Sequence, residues 1–303
     1  SNPTIDKLRQ ALEGERLHAA RMGNEGLVPI TAIITQLASD IGVFFDFYTI
    51  NKLDLVIITF FDQVFDPILN LAMMWVCYYS PIRYRILFDL ALLFNKDLAK
   101  KAWKARINTN NQEAEITLME VCTSLIKNLE NTSNIKFGAL ISGVLNWASE
   151  NPASIRYNAN NKKEALMVSP NIIGFQQVLY GIAGRQSESE IKATLITVDR
   201  QCQFNQHQEW IYDIYQKRVG ASNLGVLGMP EFNYSHFPDC PIICIPGDKS
   251  LGLELVDIYL WIVSRILSKK NVAPKLLLLF FQQLPGSKFT DVSINSLKLR
   301  WKY

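Results

Sequence analysis

An apolar helix that carries two carboxylates constrains the fold of this chain more than any other segment does. Residues 250–268 repeat apolar side chains at helical spacing, so one face of the helix is predicted to lie in a core. Ser250 follows a Pro-Gly-Asp turn and has the position and side chain of an N-cap. Glu254 and Asp257 are three residues apart and share a face beside that core. Carboxylates placed there need a cation, a metal ion or hydrogen-bond donors, because burying an unpaired charge is costly.

A further acid follows a strand-like segment elsewhere in the chain. Residues 193–199 are rich in Thr, Ile and Val and end on Asp199, which predicts a strand with a carboxylate at its end. Two interpretations are open at this point. The acid pair on the helix either belongs to a solvated helix face or joins Asp199 in a functional site.

Composition describes a globular chain with no strong electrostatic preference for a partner. The 303 residues are 49% hydrophobic and 19% charged, which argues against disorder and allows one large domain or two ordinary ones. A net charge of +3 is too small to predict polyanion binding, so a nucleic-acid site would have to be a local basic patch. The five cysteines are an odd number and several lie in apolar runs, which favours reduced thiols and a cytoplasmic location.

A membrane location is not predicted. The first thirty residues are charged and broken by Gly and Pro, unlike a signal peptide. The most apolar run, residues 53–79, contains three aspartates, a proline and an asparagine, which would be expensive in hydrocarbon. It is therefore predicted to be buried helix.

The order of segments predicts an α/β protein. Residues 1–51 are assigned to the early part of the α/β core, residues 52–150 to a helical insert and residues 170–303 to the late part of the core, which carries the acidic helix. Residues 151–169 begin with an Asn- and Lys-rich, Pro-containing stretch that predicts a linker.

Four further segments have a predicted local structure or a defined ambiguity. Residues 15–19 alternate polar and apolar side chains and predict a strand or the entry to one, and residues 43–50 are aromatic and β-branched and predict a strand. Residues 68–79 are predicted to be helical. Residues 292–301 are ambiguous between strand and loop.

Several of these segments resemble a known family. The run Ser-Leu-Gly-Leu-Glu-Leu-Val-Asp at 250–257, the strand-terminal acid within 196–201 and the Glu-Arg-Leu-His-Ala element at 15–19 resemble the bacterial domain of unknown function 3800 family. The region 61–83 also resembles that family's helical insert. The chain departs from the family in two respects. It has no strand ending in Asp-Glu-Ser-Gly, and Glu254 stands where the family has Gln.

The resemblance implies a ribonuclease H-like mixed sheet with a large helical insertion, and a site in which carboxylates bind one or two Mg²⁺ or Mn²⁺ ions. It implies Asp199, Asp257 and Glu15 as metal ligands, with Glu254 as a further ligand or an orienting group. His18 would be a proton carrier or a phosphate contact, although a structural histidine is the alternative.

The leading functional hypothesis is therefore a metal-dependent phosphodiester hydrolase, a nuclease acting on nucleic acid. The alternative is a non-catalytic module in which the helical insert binds another protein or a second copy of the chain. A third possibility is a serine hydrolase centred on Ser250, but no Gly-x-Ser-x-Gly elbow surrounds this residue and an N-cap explains it without chemistry. The hydrolase hypothesis requires that Asp199 and Asp257 share one pocket and that they are not each neutralised by an arginine or lysine of their own.

Overall fold

The computed structural model describes residues 3–13, 16–189, 191–217, 219, 234–283 and 285–301. The chain divides into two compact units. Unit 1 consists of Ser1–Phe47, Lys192–Asn205 and Asp239–Thr290, and unit 2 consists of Tyr48–Ile191, Gln206–Pro238 and Asp291–Tyr303. Each unit is built from segments that are distant in the sequence.

Most of the described residues are helical. In chain order the helices are α1 (Pro3–Ala11), α2 (Ala19–Leu27), α3 (Thr31–Asp40), α4 (Lys52–Val64), α5 (Trp75–Tyr78), α6 (Ile82–Ala91), α7 (Lys96–Arg106), α8 (Asn111–Glu130), α9 (Gly138–Glu150), α10 (Pro152–Ile155), α11 (Lys162–Met167), α12 (Pro170–Ser189), α13 (Asn205–Gln216), α14 (Leu251–Leu267), α15 (Pro274–Gln283) and α16 (Ile294–Trp301). The strands are β1 (Phe47–Ile50), β2 (Ile196–Asp199), β3 (Ile242–Ile245) and β4 (Phe289–Val292).

The strands form two small sheets. β1 pairs with β4, and β2 pairs with β3. The β2–β3 pair is parallel, with Ile196 opposite Ile242 and Asp199 opposite Ile245, so both strands end at the same edge. Helices together with short parallel strands place the described chain in the α/β class that the sequence predicts.

The core of unit 1 forms around α14. Ile258, Tyr259 and Ile262 are fully buried there, as the helical periodicity of 250–268 predicts. They pack with apolar side chains from α1, α3 and α15, and Phe45 stacks on the Tyr259 ring with 3.7 Å between centroids. A helix that is buried along one face holds its flanking polar positions in fixed places, and Glu254 and Asp257 occupy two of these.

Unit 2 has a larger, helical core. Helices α4, α6, α7, α8 and α9 bury a continuous apolar cluster. Asparagines cap several of these helices: Asn51, Asn95 and Asn110 accept hydrogen bonds from backbone N–H groups in the first turns of α4, α7 and α8. The helical character predicted for residues 52–150 therefore rests on local capping as well as on burial.

Three local predictions are corrected by the structure. Residues 16–18 are not a strand, because Leu17 and Ala19 donate their backbone N–H groups to carboxylates on α14 and α2 begins at Ala19. Strand β1 covers only the second half of 43–50, since its partner β4 is equally short. Residues 68–74 form turns in place of the predicted helix, because the buried side chain of Asn70 binds the Val64 and Val144 carbonyl groups.

Two other segments acquire a definite structure. The ambiguous segment 292–301 is largely the helix α16. The predicted linker 151–169 contains α10 and α11 and contributes two buried side chains, Ile155 and Tyr157, to the unit 2 core. The strand-like pair Val226–Leu227 lies outside the described residues.

Among the helices of the described ranges, none has both the length and the apolar character that crossing a bilayer requires.

Candidate functional site

The candidate site in unit 1 begins where β3 leads into α14. A short 3₁₀ turn, Gly247–Lys249, joins the strand to the helix, and the Ser250 hydroxyl accepts a hydrogen bond from Leu253 N–H, which confirms its predicted role as N-cap. Asp199 lies at the end of the neighbouring strand β2. A Cβ atom at Gly247 would lie 3.3 Å from Asp199 Oδ1, so the absence of a side chain there lets the turn pass close to the carboxylate. Polar groups thus collect at the carboxyl edge of a parallel strand pair, where α/β proteins commonly bind ligands.

Glu254 is the most buried acid of the site. Its side chain is 2% exposed and forms a two-point ion pair with Arg9 of α1, with N–O distances of 2.8 and 3.0 Å. The Leu17 N–H donates a third hydrogen bond to Oε2 at 3.3 Å. Both carboxylate oxygens are therefore occupied by groups of the chain itself, which satisfies the charge but makes Glu254 a poor metal ligand.

Asp257 lies nearly one turn further along α14 and is more accessible. Its side chain is 46% exposed, and Oδ2 accepts a hydrogen bond from Ala19 N–H at 2.9 Å. The same oxygen lies 3.2 Å from Nδ1 of His18. Within the described ranges, no hydrogen bond reaches Oδ1, so this oxygen remains available to a ligand.

The Ala19 contact explains how α2 begins. His18 occupies the N-cap position but makes no side-chain capping bond, and Asp257 supplies the missing acceptor from another helix. Asp257 consequently has a structural role in addition to any chemical one.

The predicted residues are brought together in part. Glu254, Asp257 and His18 meet at the start of α2, whereas Asp199 lies at the end of β2, a strand that contacts α14. Glu15 lies outside the described residues. Arg9 was missed by sequence reasoning, because it is one of many basic residues and its partner is 245 positions away in the chain.

A metal centre is not complete within the part of the chain that the structure describes. There, no group of three or more His, Cys, Asp or Glu side chains is placed to hold an ion. Glu254 is a poor metal ligand because its carboxylate is paired with Arg9. Asp257 and Asp199 each have a carboxylate oxygen for which no partner is described. Two of the three predicted ligands therefore fit the chemistry of Mg²⁺ or Mn²⁺, and Glu15 would have to complete the set.

Comparison of the chain with protein-family models, with curated proteins and with solved structures finds no match in any of the three. The interpretation of the site therefore depends on its geometry and on the residues themselves.

Proposed function

We propose that unit 1 is a ribonuclease H-like phosphodiester hydrolase unit, with nucleic acid as its substrate class. The observation that carries this proposal is the contact between His18 and Asp257. Because an ionised carboxylate only accepts hydrogen bonds, Nδ1 of His18 would be the donor in this contact, and a neutral ring would then have its lone pair on Nε2. The His18 side chain is 31% exposed, so part of the ring is open to solvent.

A histidine held in this way can take a proton from water that attacks phosphorus, while the aspartate fixes its tautomer and orientation. Asp257 is itself fixed by the Ala19 N–H, and the buried pair of Glu254 with Arg9 holds the adjacent turn of α14 in place. The parallel β2–β3 pair, with Asp199 at its carboxyl edge, supports the ribonuclease H-like assignment.

The proposal includes a divalent ion, Mg²⁺ or Mn²⁺, held by Asp199, Asp257 and Glu15. When bound, the ion would supply a Lewis acid for the phosphodiester oxygens. A cytoplasmic location belongs to the same proposal, since the chain has an odd number of cysteines, two of which, Cys77 and Cys122, are buried in the unit 2 core.

The proposal is tested by cleavage of fluorescent single- and double-stranded RNA and DNA oligonucleotides by the full chain with Mn²⁺. Asp257→Asn keeps an oxygen that can accept from Ala19 N–H but removes the charge, and we expect a loss of about a hundredfold or more in rate. His18→Gln should cause a similar loss. The control is Asp239→Asn, an exposed acid of the same unit. No cleavage by the wild type, or equal rates for Asp257→Asn and the control, would refute the proposal.

A second candidate function, a protein-interaction or self-association module, is favoured by a specific surface of unit 2. Five apolar side chains between residues 68 and 76 are each more than half exposed, and Trp75 stacks on Tyr79 beside them. A contiguous exposed apolar patch is typical of a site that binds another protein, because monomeric proteins rarely expose such patches elsewhere on their surface. The exposed side chains are Ile68, Leu71, Met74, Trp75 and Val76.

This second candidate is tested by measuring the mass of the purified chain in solution by light scattering. We expect an oligomer that Leu71→Lys/Val76→Lys converts to a monomer. The matched control, Ile116→Lys/Met119→Lys, changes two exposed apolar residues on α8 and should leave the mass unchanged. A wild-type monomer, or equal effects of the two double variants, would count against self-association.

A further inference from the structure

Unit 2 contains a cavity that is remote in sequence from all the acids discussed above. Its volume is ≈350 Å³, within the usual range for small-ligand sites. It lies where α4, α7 and the first residue of α12 meet. The lining residues are Lys52, Leu53, Leu55, Val56, Lys96, Ala99, Lys100, Trp103 and Pro170.

The wall of the cavity is apolar. Leu55, Val56 and Ala99 are buried, and the half-buried indole of Trp103 completes an aliphatic and aromatic surface. About twelve non-hydrogen atoms would fill ≈350 Å³, if each occupies the roughly 30 Å³ that a water molecule takes in the liquid. The apolar part of a bound molecule is therefore small, of the size of a medium-length acyl chain or a bicyclic ring.

Three of the lining residues are cationic. Lys96 and Lys100 are four residues apart on α7 and share one face of that helix, and Lys52 begins α4. All three lysines are exposed. Lys100 Nζ lies 3.4 Å from Asp97 Oδ1, and this ion pair is weak because both side chains are exposed. No described residue forms an ion pair with Lys52 or Lys96. The polar part of the cavity is thus positively charged.

We propose that this cavity binds a small amphipathic anion, whose apolar body occupies the pocket beside Trp103 and whose carboxylate lies among Lys52, Lys96 and Lys100. The charge of the lysines selects an anion over a neutral molecule of the same shape, and the apolar wall selects a molecule with a hydrocarbon body over a simple inorganic anion. The wall offers few polar groups for the many donors and acceptors of a nucleotide.

The first experiment titrates the full chain by calorimetry with three probes. Decanoate has both an apolar body of the right size and a carboxylate, decanol has the body alone, and acetate has the head alone. We expect decanoate to bind with one-to-one stoichiometry and at least about tenfold more tightly than either of the others. Binding of decanol as tight as that of decanoate, or no binding of decanoate, would overturn the proposal.

The second experiment locates the site. Lys96→Glu/Lys100→Glu reverses two exposed charges at the cavity and should weaken decanoate binding by about tenfold or more. The matched control is Lys127→Glu/Lys136→Glu, which reverses two exposed charges elsewhere in unit 2 and should leave the affinity unchanged. The indole N–H resonance of Trp103, assigned with Trp103→Phe, should shift on addition of decanoate. An equal loss in both double variants, or an unshifted Trp103 resonance, would place the ligand elsewhere.

Discussion

The two units bury polar groups in different ways. Asn70, a buried polar side chain in the unit 2 core, has both ends of its amide satisfied: it donates to two backbone carbonyl groups and accepts from Ala72 N–H. Unit 1 buries the carboxylate of an ion pair, Arg9 with Glu254, and the Tyr259 hydroxyl has no hydrogen-bond partner among the described residues. Burial raises the pKa of that hydroxyl, so it stays protonated.

Both features of unit 1 carry a cost in stability. A buried ion pair is weak evidence for stability, since the desolvation of both charges offsets most of their attraction. A buried hydroxyl without a partner is also unfavourable. Both of these costs fall on α1 and α14, the helices that hold the candidate site. Unit 2 carries costs of its own, because Arg106 Nε and both ring nitrogens of the buried His207 have no hydrogen-bond partner among the described residues. What distinguishes unit 1 is the position of its costs beside the candidate site and an ion pair whose carboxylate is buried, whereas Asp62 in the unit 2 pair with Arg83 is half-exposed.

The largest expected effect tests the unit 2 core. Phe60 is fully buried and makes edge contacts with the rings of Phe94 and Tyr157. Phe60→Ala should lower the free energy of unfolding by about 3–5 kcal/mol, because the lost burial and the remaining cavity both contribute. Urea denaturation followed by far-UV circular dichroism measures it. Ile116→Ala, at a half-exposed position on α8, is the control and should change stability by less than about 0.5 kcal/mol.

The next effect tests the ion pair of unit 1. Arg9→Met leaves the Glu254 carboxylate buried without its cation and should cost about 3 kcal/mol. The double variant Arg9→Met/Glu254→Leu removes both charges and should recover most of that loss. If the double variant is as unstable as the single one, packing of the arginine stem, not the charge, accounts for the effect.

A pair of tyrosine substitutions compares the two units directly. The Tyr157 hydroxyl donates to the Ala102 carbonyl at 3.2 Å, so Tyr157→Phe should cost about 1 kcal/mol. The Tyr259 hydroxyl has no partner among the described residues, so Tyr259→Phe should be neutral or stabilise unit 1 by up to about 1 kcal/mol. Thermal unfolding of both variants measures the difference. Equal losses in the two variants would show that a solvent molecule satisfies Tyr259.

The sequence predicted local structure where local chemistry determines it. The limits of α14 agree with the helix predicted for residues 250–268 within one residue, because an N-cap and a buried apolar face both mark it. Residues 68–74 were predicted wrongly, since the turns there depend on a bond from Asn70 to Val144, 74 positions away. Glu254, Asp257 and His18 were named from the sequence and lie close together, but Arg9, the partner of Glu254, was not predicted. A pairing between α1 and α14 leaves no mark in either segment alone.

The smallest expected effect is a pH dependence in unit 1. Asp40 accepts hydrogen bonds from the Thr4 hydroxyl and the Gln36 amide, both at 2.6 Å, and the Thr4 bond is the main cause that lowers the pKa of the Asp40 carboxyl. A lowered pKa means that this contribution to stability is present above the ordinary Asp pKa of about 3.9 and is lost as the pH falls through the lower folded-state value.

Thr4→Val removes the donor, so the Asp40 carboxyl should titrate at a higher pH in the variant, as measured by the pH dependence of its carboxyl carbon NMR signal. The contribution of Asp40 to the difference in stability between wild type and variant should be present at pH 7 and shrink as the carboxyl becomes protonated. Gln36→Leu, which removes the second donor, is the comparison and should shift the Asp40 titration less, because the Thr4 bond has the larger effect on this pKa. An unchanged Asp40 titration would show that the Thr4 hydroxyl is not the main cause of the lowered pKa and that the Gln36 amide and the Lys7 charge account for it.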